Sequence, residues 1–156
     1  MRKLAAFVIL TLAGSELALA GLGSHKARYV GGTWTQYAAE SEGKIDFSDS
    51  AQMRFIPDRK ERDASIPYDK ITSLEYGQKA GRRIGLTLLT GAWPLLLSKK
   101  RRHYVTIGFT DDSGQPAGVI FELGKDVTRV TLKTLEIRTG KKVDYETEDA
   151  RKHSGN

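Results

Sequence analysis

The runs Tyr104-Val105-Thr106-Ile107-Gly108-Phe109-Thr110 and Ala117-Gly118-Val119-Ile120-Phe121-Glu122-Leu123 flank the turn residues Asp111-Asp112-Ser113-Gly114. Val105, Ile107 and Phe109 fall on every second position of the first run. Ala117, Val119, Phe121 and Leu123 do so in the second, the period of a strand with one buried face. Asp-Asp-Ser-Gly between them has a physical reason to turn. Aspartate and serine bond their own backbone, and glycine takes conformations closed to other residues. This segment predicts a β-hairpin, and its two strands anchor the reading of the rest of the chain.

Upstream, Thr33-Trp34-Thr35-Gln36-Tyr37 is rich in strand formers and reads as the first strand, with Ser41-Glu42-Gly43 as the turn after it. Ile45 and Phe47 point one way while Lys44 and Asp46 point the other. Met53 and Phe55 repeat the pattern until Pro57-Asp58 ends it, and Arg59-Lys60-Glu61-Arg62 reads as a solvated hairpin loop. Ile66 and Tyr68 mark a fourth strand, and Ile71, Leu74 and Tyr76 a fifth. About seven short strands at close spacing predict an antiparallel sandwich or barrel. Downstream, Asp126 can cap a helix and Gly140 can end it. Val127, Val130, Thr131, Thr134 and Leu135 share one helical face, so a helix is predicted over 127–139. The predicted core is Ile45, Phe47, Met53, Phe55, Ile66, Ile71, Leu74, Val105, Ile107, Phe109, Val119, Phe121, Leu123, Val130 and Leu135. Residues 146–156 alternate in charge and predict a flexible tail.

The chain has 156 residues, 25 basic and 19 acidic, and no cysteine. That length suits one domain. Without cysteine there are no disulfides, no Cys-ligated zinc and no lipid anchor on a thiol. Met1-Arg2-Lys3, the uncharged run 4–13 and the small-x-small end Ala18-Leu19-Ala20 have the order of a secretory signal peptide cleaved after Ala20. Its removal takes Arg2, Lys3 and Glu16 and leaves a net charge of +5 against +6 for the whole chain. The expected product is exported, periplasmic or secreted, with one domain over 21–145.

Several short strands and then one helix is also the order of the pleckstrin-homology-like fold. The run His103-Tyr104-Val105-Thr106-Ile107-Gly108-Phe109-Thr110-Asp111, with Gly114 and Val119-Ile120-Phe121-Glu122-Leu123, resembles the late strands of that class. Leu135-Glu136-Ile137-Arg138-Thr139-Gly140-Lys141-Lys142 resembles the segment that comes after those strands. The chain looks like small exported bacterial proteins that carry such a GRAM-type domain. The resemblance covers about 100–145, and more loosely 43–78. It implies a barrel of about seven antiparallel strands with a C-terminal helix at one end, and no catalytic residues. Members of the fold commonly bind phospholipid head groups or peptides. The bases for head groups usually lie between the first two strands, read here as Ser41-Glu42-Gly43, which is short and acidic and argues against a head-group site of that kind.

Between two predicted strands, Ile84-Gly85-Leu86-Thr87-Leu88-Leu89-Thr90-Gly91-Ala92-Trp93-Pro94-Leu95-Leu96-Leu97 is fourteen residues without a charge. Arg82-Arg83 precede it, and Lys99-Lys100-Arg101-Arg102 come after Ser98. One helix of that length reaches only about 21 Å, short of the roughly 30 Å of a hydrocarbon core. Gly91 can close one short helix and Pro94 can open another, so a helical hairpin insertion over 80–102 is expected, with both basic clusters at its open end. Three readings compete: leucines folded over the barrel as core, a contact with one membrane leaflet, or a surface for a protein partner, self-association included. The candidate membrane or partner residues are Arg82, Arg83, Trp93, Leu95, Leu96, Lys99, Lys100, Arg101 and Arg102.

Catalytic chemistry finds little support. His25, His103 and His153 lack metal-ligand spacing, and there is no phosphate-cradling glycine loop or nucleophile elbow. His25 and His153 read as belonging to flexible ends. His103 with Asp111 or Asp112 is the one faint acid–base candidate. Asp111-Asp112 lacks the other ligands of a calcium loop. Ser41-Glu42-Gly43-Lys44 matches S-x-x-K, but a turn into a strand would part serine from lysine. The excess charge is modest and has no aromatic platforms beside it, so nucleic acid is not expected. No enzyme, cofactor, metal or small-molecule substrate is inferred. The expectation is an exported binding or scaffold module on an anionic membrane surface, with a protein-interaction domain as the alternative.

Overall fold

The structure is a computed structural model that describes residues 24–78, 102–148 and 151–152. The segments expected to be a signal peptide (1–20) and an apolar hairpin with its flanking bases (80–101) lie outside the described residues, as does His153. The strands are β1 His25–Gly32, β2 Ser41–Asp46, β3 Gln52–Pro57, β4 Ala64–Pro67, β5 Ile71–Gly77, β6 His103–Thr110, β7 Pro116–Leu123 and β8 Val143–Tyr145. A helix, α1, spans Lys125–Thr139 between β7 and β8. The described residues form one mainly β unit, an eight-stranded sheet in the order β4-β3-β2-β1-β7-β6-β5-β8. Its edges are β4 and β8, so the sheet is not closed. Every ladder is antiparallel except β5 with β8.

The hairpin expected over 104–123 is present, with Val105 opposite Phe121, Ile107 opposite Val119 and Phe109 opposite Ala117. Asp111 Oδ1 accepts from the Ser113 and Gln115 amides at 2.8 and 2.9 Å, and Gly114 takes φ +76°. Alternation brings these inward side chains together with Ile45, Phe47, Met53, Phe55, Ile66, Ile71 and Leu74 in one cluster. Burial of this apolar area is the main term holding the sheet to the helix. The 59–62 loop lies between β3 and β4, outside both strands, as its charges predict.

Several expectations need correction. The first strand is His25–Gly32, and 33–40 is a turning segment. Gly32 adopts φ +143°, and a Cβ there would sit 2.3 Å from the Gly118 carbonyl, so the chain leaves the ladder at a contact only glycine permits. Trp34 and Tyr37 then fold inward, where their strand-forming character is used for packing. Tyr29 donates to the Trp34 carbonyl at 3.0 Å and Tyr37 to the Arg62 carbonyl at 2.6 Å. Ser41-Glu42-Gly43 is consequently the start of β2 and not a turn, and the β1–β2 connection is 33–40.

His25 is not in a flexible end. It is 7% exposed, and its Nδ1 lies 2.8 Å from Thr131 Oγ1 on α1. Tyr68 falls in a single 3-10 turn, Tyr68–Lys70, and not in the fourth strand. The helix also differs in phase. Gly124 rather than Asp126 is its N-cap, and Gly140 closes it in the left-handed conformation as foreseen, its amide on the Glu136 carbonyl at 2.9 Å. The buried face is Thr128, Thr131, Leu132, Thr134 and Leu135, whereas Val130 is 41% and Ile137 70% exposed. Thr128 hides its hydroxyl by donating to the Gly124 carbonyl at 2.8 Å, and Thr131 meets His25. That is how a threonine face can be buried while Val130 is not. Strand β8, unforeseen in the sequence, returns the chain to the sheet beside β5, with Val143 buried in the main cluster.

Candidate functional site

The predicted site residues enter and leave the described structure at one place. The Arg102 amide donates to the Gln78 carbonyl at 3.4 Å, closing the neck between the end of β5 and the start of β6. Of the nine candidates only Arg102 is described; Arg82, Arg83, Trp93, Leu95, Leu96, Lys99, Lys100 and Arg101 lie outside the described residues. In sequence, Arg82 is four residues beyond Gln78 and Lys99 three before Arg102.

Arg102 is held by the sheet. Its Nη1 donates to both carboxylate oxygens of Glu122, at 3.0 and 2.8 Å. Glu122 is an outward residue of β7, and its side chain is 18% exposed. The same carboxylate meets Arg28 Nη1 of β1 at 3.7 Å, and Arg28 Nη2 donates to Glu42 of β2 at 3.3 Å. Register places Arg28 beside both Glu42 and Glu122, so a row of alternating charges crosses β2, β1 and β7. The hydrogen bond from Glu122, then its charge, hold the Arg102 guanidinium more firmly protonated than usual. Tyr104 stands in the same row. Burial first, and the Glu122 charge second, push its hydroxyl up. Sequence reasoning did not find this row, because cross-strand partners depend on register; the signal available was charge at outward strand positions.

Beneath the neck, Tyr76 Oη lies 2.6 Å from His103 Nδ1, with the rings stacked at 6.0 Å. Burial pushes the Tyr76 hydroxyl up to about 12, so it is a neutral phenol at physiological pH. The acid–base candidate does not assemble. His103 opens β6 and Asp111 comes directly after its last residue, which sets them roughly 25 Å apart along an extended strand.

Two clefts flank the charge row. One, of about 260 Å³, lies between Lys26, Arg28, Glu122 and the Gly124–Asp126 start of α1. The other, of about 350 Å³, lies between Arg28, Glu40, Glu42 and Arg59. Both share Arg28 with Glu42, which already neutralise each other, so neither cleft presents a concentrated charge of one sign. The described residues contain no group of three side chains that could hold a metal ion, and none of their helices is long and apolar enough to cross a membrane.

No protein-family model matches the chain, and no curated protein matches it.

Proposed function

We propose that this chain is a non-enzymatic, exported binding or scaffold module of pleckstrin-homology-like fold that docks on an anionic membrane surface through residues 82–102. The observation that carries the docking is the closed neck. The Gln78 to Arg102 hydrogen bond brings together the two ends of the described chain between which, in sequence, both basic clusters and the uncharged run of fourteen residues lie. Basic side chains near anionic lipid contribute about 1 kcal/mol each, and buried apolar side chains add to that. The fold part is supported by the strand order, in which β1 to β4 run consecutively outward from the middle, β7, β6 and β5 run outward on the other side, and the helix comes after β7. The non-enzymatic part is supported by the engagement of His25 with Thr131 and of His103 with Tyr76, contacts that build the fold.

The test is vesicle co-sedimentation of the processed chain at low and high salt, wild type beside Leu96→Asp. Binding to anionic vesicles that weakens with salt and is lost in a still-folded Leu96→Asp supports docking. A folded wild type that ignores anionic vesicles at low salt overturns it. A second reading, a protein-contact module, has in its favour the exposed Val130 and Ile137. They are seven residues apart and so on one helix face.

A further inference from the structure

We propose that the outer face of β6, β7 and β1 is a seat for the uncharged run 84–97 of the same chain, which gives the sheet a second, smaller core on the side away from α1.

Alternation sets the face. On β6, Val105, Ile107 and Phe109 enter the main cluster, which turns Tyr104 and Thr106 the other way. On β7, Val119, Phe121 and Leu123 enter it, and Ile120 turns away. Register puts Thr106 opposite Ile120, and Ile120 opposite Gly31 at the bulge in β1, next to Val30. An antiparallel sheet with one covered face commonly leaves the other to water. Here the second face is dry as well. Ile120 is 0% exposed and Val30, Tyr104 and Thr106 at most 6%, yet none of the four belongs to the main cluster. The described elements that leave the sheet pack on the opposite side. Leu132 and Leu135 of α1, Tyr37 of the 33–40 segment and Tyr68 of the 3-10 turn are all members of that cluster. The cover over Ile120 is thus assigned to chain outside the described residues.

Position and chemistry select the run. Residues 79–101 leave the described structure at Gln78 and rejoin it at Arg102, two residues before Tyr104. Ile120 is three residues from Leu123, the partner of His103, and so about 10 Å along β7 from the neck. Six steps of chain separate Gln78 from Ile84 and five separate Leu97 from Arg102, enough at roughly 3.3 Å each to span that distance. Val30, Ile120 and the Tyr104 ring make an apolar patch, and its charged neighbours Arg102 and Glu122 already pair with each other. Such a patch takes up leucines and tryptophan, because contact removes both surfaces from water. The seat is independent of membrane docking: it is where the run lies when no lipid is present.

The chain has no cysteine, so one introduced thiol reports on its own surroundings. Ile120→Cys in the processed chain is treated with a water-soluble maleimide in the absence of lipid, which keeps this result separate from that of the vesicle test. Labelling is expected to be about a hundredfold slower than in the urea-unfolded protein. Leu95→Asp with Leu96→Asp is expected to speed it about tenfold, while Val119→Cys, facing the main cluster, stays as slow as before. Thr106→Cys, close to isosteric, repeats the measurement should Ile120→Cys fail to fold. A thiol at 120 or 106 that labels as fast as in the unfolded protein, in a chain folded by circular dichroism, overturns the proposal. So does protection that survives both leucine substitutions, which would assign the cover to another part of the chain. Protection that falls on dilution would assign it to a second copy and overturns the proposal too.

Discussion

Arg102→Gln and Lys100→Gln each remove one positive charge from the same basic run, yet they are expected to affect vesicle binding differently. Arg102 faces Glu122 at 2.8 and 3.0 Å from one nitrogen, so its charge is largely compensated before any lipid arrives. A basic residue at an anionic surface is worth about 1 kcal/mol, which is roughly fivefold in the partition coefficient. Lys100→Gln should therefore weaken binding about fivefold, and Arg102→Gln by less than about twofold. Glu122→Gln should act in the opposite sense. It releases Arg102, while Arg28 keeps its closer partner Glu42 at 3.3 Å, and should tighten binding about fivefold. All three differences should shrink as salt rises, since the screening length falls from about 10 Å at 0.1 M to about 3 Å at 1 M. The pair is partly exposed, with side chains 31% and 18% accessible, so breaking it costs the fold about 1 kcal/mol or less. The assay is sedimentation with vesicles of phosphatidylcholine containing one-third phosphatidylglycerol, with circular dichroism as the folding control. Equal losses for Arg102→Gln and Lys100→Gln, or no gain for Glu122→Gln, would mean that the sheet has not neutralised Arg102.

Other predictions concern the fold. Leu135, fully buried, should cost about 2–5 kcal/mol as Leu135→Ala, whereas Val130→Ala, at a position 41% exposed, should stay within about 0.5 kcal/mol; thermal melts separate them. Gly32→Ala should destabilise by at least about 2 kcal/mol in urea unfolding, because it combines a disfavoured φ with a 2.3 Å approach to a carbonyl. Burial lowers the His25 pKa below its ordinary 6.5, so the folded state prefers the neutral ring. Its contribution is present above about pH 6.5 and is lost as pH falls toward the lowered folded value, because the unfolded chain takes up the proton first. The slope should be at most about 1.4 kcal/mol per pH unit, and His25→Gln should remove this component of the acid sensitivity.

The core positions were legible because alternation survives without knowledge of neighbours. Ile45, Phe55, Val105 and Phe121 are inward for the same reason in sequence and structure. Strand β1 was hidden because His25, Ala27 and Tyr29 alternate with Lys26 and Arg28 next to a predicted leader, and because a histidine satisfied by a threonine 106 residues away has no local signature. The helix phase was off at its edges. Thr131, Thr134 and Leu135 are buried as their spacing foretold, but Thr128 and Leu132 complete the face, and Val130 is turned outward with Ile137. Strand β8 is too short to show a period at all. At the candidate site, charge and hydropathy marked the segment, but the capture of Arg102 by Glu122 depends on the register of β6 against β7 and could not be read from either residue alone.

Docking requires that Trp93 and its leucines enter a membrane surface, and Trp93 can report on this itself. The chain contains two tryptophans, so Trp34→Phe leaves Trp93 as the only indole. With anionic vesicles at low salt, the expected result is a blue-shifted Trp93 emission that is quenched by lipids brominated along the acyl chain and restored to its free value by high salt. An emission that neither shifts nor quenches with anionic vesicles, in a protein whose circular dichroism shows it folded, would rule membrane docking out.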